Sequence, residues 1–96
     1  IKLIEIKQRL NLYAQKAKNE YQLSIQNYNT ARRNVDLSER IEKKQRTKFF
    51  EGISSSFDLL QAQNQLYTQQ QNYVQSMLDL IAKKAALETA LNIPIK

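Results

Sequence analysis

The chain contains no cysteine and no histidine. That removes disulfides, thiol catalysis, the commonest zinc sites and the commonest general base at neutral pH. Tryptophan is absent, and there is one glycine, Gly52, and one proline, Pro94. A chain this poor in both has little punctuation between elements. Long apolar runs are missing too. No stretch approaches the roughly 18–20 consecutive apolar residues needed to cross a bilayer, and mean hydropathy is −0.62. This piece is expected to be soluble. No signal peptide is visible within it. Position 1 is not methionine, so the 96 residues are expected to be a processed product or an excised piece, and at most one domain.

What is present is periodic. Apolar residues make up 42% of the chain, and their regular recurrence excludes a disordered tail. The net charge of +6 admits nucleic acid or lipid head groups as partners. The basic residues are scattered along the chain with Asp and Glu among them, so a solvated helix surface is the favoured reading and no nucleic-acid partner is expected.

The single interruption lies at Phe49-Phe50-Glu51-Gly52-Ile53-Ser54-Ser55-Ser56-Phe57-Asp58. Gly52 can adopt a left-handed conformation just past a helix end. Ser54, Ser55 and Ser56 can each accept a bond from an orphan N–H of a first turn. Ser55 and Asp58 have capping-box spacing, and Asp58 suits the positive end of a helix dipole. The pattern predicts an all-α fold: a long antiparallel two-helix coiled-coil hairpin. Helix one covers about 1–50, the tip about 51–55 and helix two about 56–92. Pro94 disfavours helix at Ile93 and sets the far end.

The heptads are legible. In helix one, Ala14, Tyr21, Tyr28 and Val35 recur by sevens, and that phase skips Glu42 to reach Phe49. Ala17, Ser24, Ala31 and Ser38 fall between, making a seam of alternating large and small residues suited to knobs-into-holes packing. Leu3, Ile6, Leu10 and Tyr13 form an apolar stripe in another phase. Helix one outruns helix two, so its first dozen or so residues are expected to project beyond the hairpin. In helix two, Leu59, Leu66, Tyr73, Leu80 and Leu87 recur by sevens, and Leu60, Tyr67, Val74 and Ile81 run beside them. Ala62, Met77, Leu78 and Leu91 widen the band. A two-stranded coiled coil needs one seam; two ridges predict helices on two sides, as in one stave of a helical wall. A lone hairpin would leave one ridge bare, so self-association or marginal stability is expected. Gln61, Gln63, Gln65, Gln69, Gln70, Gln71 and Gln75 read as an uncharged face lining water or bonding to neighbouring helices.

No catalytic constellation emerges, and no enzyme activity, cofactor or metal is expected. Asp36, Glu39 and Glu42 are spaced by threes among Arg40 and Lys43, as surface ion pairs are. Glu51 reads as a solvated charge. Phe49 and Phe57 are expected to seal the hairpin end, leaving Phe50 exposed beside Gly52 and Ile53 as a contact point for a partner.

The residues around Gly52 carry a resemblance. The run Phe49 to Gln63, continuing to Leu66-Tyr67, resembles the periplasmic tip of TolC-like outer-membrane efflux proteins. That family shows an aromatic, two residues, Gly, an aliphatic residue or Thr and then Ser, followed by a D-[VL]-L-x-A run, here Asp58 to Ala62. Ala86 to Leu91 resembles the family's Ala-Leu-Glu-x-Ala-Leu segment. The resemblance implies one hairpin, most similar to that of the second repeat, from the α-barrel of a homotrimeric efflux or secretion duct. It implies a periplasmic segment of an outer-membrane protein whose tip meets the hairpin of a periplasmic adaptor, and through it an inner-membrane pump. By position, Phe50, Glu51, Gly52, Ile53 and Ser54 would form the adaptor-docking tip. Asp58, Gln61 and Phe49 would stand at the duct entrance. Asp58 matches the first of two aspartates of the best-known member's entrance. Gln61 replaces the second, Ser54 replaces an Arg and Phe49 a Tyr, so that member's closing bonds are missing, and the resemblance implies a reduced Asp ring with cation selectivity through Asp58. Two rivals stay open. An adaptor's own hairpin would carry an Arg-Leu-Ser-like tip motif, which is absent. A coiled-coil scaffold or nucleic-acid-binding hairpin would need a continuous basic stripe.

Overall fold

The computed structural model describes residues 2–92. Two helices account for nearly all of them: α1, Lys2–Phe50, and α2, Ser56–Leu91. They lie antiparallel in a rod of 76 × 15 × 14 Å. Its length matches the roughly 74 Å that 49 residues span at 1.5 Å each, so α1 runs essentially straight from end to end.

The reversal is a Schellman turn. Gly52 sits at φ +77°, the left-handed region that only glycine enters without penalty. The N–H of Gly52 donates to the Phe49 carbonyl at 3.0 Å and that of Ile53 to the Lys48 carbonyl at 2.8 Å, which satisfies two orphan acceptors of α1. Ser55 then caps α2: its backbone is extended, and its hydroxyl accepts from the Asp58 N–H at 3.2 Å. At the other end, Asn92 caps α2 with its N–H on the Glu88 carbonyl at 3.0 Å. Pro94, the expected stop, lies outside the described residues.

The two helices meet along one seam. From α1 it takes Ala14, Tyr21, Tyr28, Val35 and, between them, Ala17, Ser24, Ala31 and Ser38, all buried or half-buried. From α2 it takes Leu59, Leu66, Tyr73, Leu80 and Leu87, with Ala62, Gln69, Ser76, Lys83 and Ala90 interleaved. Glu42, which the apolar phase skips, occupies its seam position half-buried and holds Arg46 at 3.2 Å. Among the described residues the buried ones are all small: Ala17, Ser24, Ala31 and Ala62. Small side chains let the backbones approach, and the larger residues then flank the contact rather than hold it open. Ser24 donates back to the Tyr21 carbonyl at 2.6 Å, so its buried hydroxyl has a partner.

Register is marked by two cross-helix contacts. The Tyr28 and Tyr73 hydroxyls are 2.9 Å apart, with ring centroids at 5.3 Å. Lys83 reaches Glu20 at 3.6 Å, with both side chains more than a third exposed. The second contact is worth little for that reason. In this register the end of α2 lies near Leu10, and residues 2–9 project past it, exposed. Leu3, Ile4 and Ile6 are therefore bare.

The tyrosine pair has a pH signature. The hydrogen bond to Tyr28 holds the Tyr73 phenol above its ordinary value of 10.0, with burial acting in the same direction. A raised folded pKa favours the protonated form in the folded state. That stabilisation is complete below pH 10 and is lost as pH rises through the raised value. The melting midpoint is expected to fall above pH 10, less steeply in Tyr28→Phe. Identical pH profiles in the two proteins would mean that the pair does not couple folding to ionisation.

Two expectations need correction. Neither Phe49 nor Phe57 seals the hairpin end: Phe49 is exposed and packs edge-on against the open Phe50. The reason is clearest for Phe57. It lies two residues before Leu59, on about the opposite side of α2 from the seam, and is 64% exposed. The glutamines do not form one face either. Consecutive helical residues are about 100° apart, so Gln69 turns into the seam while Gln70 and Gln71 point to solvent.

Candidate functional site

The corner is built so that its tip is bare. Once the Schellman bonds and the Ser55 cap have used the local backbone groups, the intervening side chains have nothing to pack on. Phe50 is 79% exposed and Ile53 71%. Phe49 is less open, at 37%, and meets Phe50 edge-on with ring centroids 5.8 Å apart. Glu51 and Gly52 are exposed and Ser54 is half-buried. A Cβ built on Gly52 would meet nothing within 4 Å. The glycine is thus required by its backbone angle and not by lack of room. The tip offers two apolar side chains, Phe50 and Ile53, on a short rigid turn, with one carboxylate between them.

Asp58 and Gln61 come together on one flank just behind the tip. With Ala62 and Gln65 of α2 and Ile41 and Gln45 of α1 they line a shallow, mostly polar groove. Asp58 is exposed and makes no ion pair among the described residues. Phe49 is not part of that groove. The three residues expected at an entrance therefore divide, with two on the flank and one at the tip.

The longest open feature lies on α2. Leu60, Tyr67, Val74 and Ile81 are 52%, 62%, 48% and 59% exposed. They stand about 100° around the helix from the seam residues beside them, and Phe57 and Leu78 extend the same side. The seven-residue spacing is what a helix partner reads, yet α1 packs on the other ridge only. On α1, Leu23 and Leu37 are also open, at 56% each.

Among the described residues no helix is long and apolar enough to cross a membrane, and no group of three or more acidic, His or Cys side chains could hold a metal ion. The residues that sequence reasoning missed are Gln69, Ser76 and Lys83, the polar members of the α2 seam. Their position three after Leu66, Tyr73 and Leu80 was the available signal.

Compared with known proteins, the chain matches no family model, no curated protein and no solved structure.

Proposed function

We propose that the chain is one helical hairpin from the periplasmic wall of a TolC-like outer-membrane efflux or secretion duct. Three parent chains would close the barrel, and this hairpin would come from the second repeat. Its work is passive. α2 packs into the wall, the corner docks the hairpin of a periplasmic adaptor that leads to an inner-membrane pump, and no covalent chemistry takes place. Asp58 on the flank behind the tip biases the mouth toward cations, with Gln61 beside it as a neutral neighbour.

The observation that carries this reading is the bare ridge Leu60, Tyr67, Val74 and Ile81. A free-standing hairpin has no use for a second apolar ridge in heptad register, whereas a stave needs one on the flank away from its own partner helix. The bare tip supports the docking half of the reading, because exposed aromatic and aliphatic side chains on a rigid turn are suited to anchor a partner.

The test is binding of the chain to the hairpin of a periplasmic adaptor. Ile53→Asp should abolish binding and leave helicity unchanged, since Ile53 is 71% exposed. Gly52→Trp should also abolish it, at a backbone cost of about 1–2 kcal/mol for the left-handed angle. Full binding by Ile53→Asp would remove the corner as the docking point. Absence of binding to every member of an adaptor panel would count against the family reading.

A further inference from the structure

α1 carries a second surface near the corner that shares Ile41 with the Asp58 groove and is otherwise outside the duct reading. Leu37 and Ile41, 56% and 39% exposed, form the floor of a shallow groove on α1 alone, rimmed by Arg40, Lys43, Lys44 and Lys48. Leu37, Ile41, Lys44 and Lys48 follow one another by fours and threes, so the groove runs along the helix axis for about 16 Å. No carboxylate lines it. Asp36 and Glu39 lie beside Arg40 and Lys43 on the adjoining face and make no ion pair with them. The ion pairs among the described residues are Arg46–Glu42 and Lys83–Glu20, and neither involves the four rim cations.

We infer that this groove docks an acidic amphipathic helix, laid along α1 with apolar residues on Leu37 and Ile41 and carboxylates on the rim. Charge complementarity selects that occupant. A second copy supplies it poorly: the open ridge of α2 has no carboxylate between Asp58 and Asp79, and α1 brings Asp36, Glu39 and Glu42 only together with the same cations. A phosphate polymer would satisfy the cations and leave the apolar floor unused. A helix uses both, because residues three and four apart share one face and carboxylates accept charge-assisted bonds from Lys and Arg. The inference does not rest on the duct reading, and its failure would leave the corner-binding test intact.

The test uses the 96-residue chain and two labelled helical peptides of about 20 residues. One has Leu at three- and four-residue spacing flanked by Glu, and the other has Lys in place of every Glu. The acidic peptide should bind, more weakly as salt rises. The double change Lys43→Glu with Lys44→Glu should weaken it at least about tenfold. Leu37→Asn should weaken it severalfold at unchanged salt dependence. Lys16→Glu with Lys18→Glu, at the far end, should leave it unaltered. All these side chains are exposed, and circular dichroism verifies that each variant keeps its helicity. Equal binding of the lysine peptide, or indifference to the Lys43 and Lys44 changes, would overturn the inference. So would indifference to Leu37→Asn, which would reduce the effect to bulk charge attraction. Tighter binding of a DNA duplex or of anionic phospholipid vesicles than of the acidic peptide would assign the surface to polyanions instead.

Discussion

Replacing Ala31 by leucine is expected to destabilise the hairpin by about 1–3 kcal/mol. Ala31 is one of the four buried residues among those described, and all four are small. It follows Tyr28 by one turn on the row that faces α2, so added carbons would meet the backbone side of the opposite helix and could not swing to solvent. Either the helices separate, which loosens the Tyr28–Tyr73 contact, or the leucine takes a strained rotamer. Native domains are stable by only about 5–15 kcal/mol, and a hairpin one layer thick should lie near the lower end. The loss is therefore a large fraction of the total. Urea unfolding followed by helicity should show a lower midpoint. An unchanged midpoint would mean that the small row does not set the helix separation. Leu23, 56% exposed, provides the contrast, because substitutions at such surface positions usually lie within about 0.5 kcal/mol.

The double change Tyr67→Glu with Val74→Glu is expected to weaken self-association of the chain at least about a hundredfold. Full burial of a large apolar side chain is worth about 1.5–3 kcal/mol, and each 1.4 kcal/mol is about a factor of ten in affinity. Both residues are on the open ridge and away from the seam, so the hairpin itself should survive. The surface available for association is large. The chain exposes 7822 Å², against about 5,700 Å² for a compact monomer of its mass. The excess of roughly 2,000 Å² is on the scale of a stable interface. If the double variant associates as strongly as the parent, the ridge is not the contact, and the projecting residues Leu3, Ile4 and Ile6 become the surface to test.

Much of this architecture is legible in the sequence. Gly52 and Ser55 sit in a turn where backbone chemistry leaves few options, and each plays its expected part; of the Ser55–Asp58 capping box the Ser55 half forms, with Asp58 donating its N–H. The α1 seam was legible because Tyr21, Tyr28 and Val35 alternate with Ala17, Ser24 and Ala31, and size alternation encodes packing directly. The polar part of the α2 seam was hidden. Gln69, Ser76 and Lys83 occupy positions that apolar counting passes over, and a long helix tolerates them because a hairpin seam is only half-buried. Pair register was hidden too. Equal counting from the two helix ends sets Leu78 opposite Tyr28, whereas Tyr73 is there. Heptad phase overrides the count, since Leu78 faces away from α1 and Tyr73 faces it. Phe57 was misplaced for a related reason: proximity to the corner in sequence does not fix which side of α2 a residue occupies. The basic groove was visible only as a charged stretch, Arg40 to Lys48, until the helix put Leu37 and Ile41 beneath it.

The central claim is that α2 carries two apolar ridges, one closed by α1 and one left for a neighbour. Sedimentation equilibrium of the unmodified chain over a wide concentration range tests it most directly. The account predicts concentration-dependent association that the Tyr67→Glu, Val74→Glu variant loses while retaining its helicity. A stable monomer at every concentration, with a sharp unfolding transition independent of concentration, would contradict it.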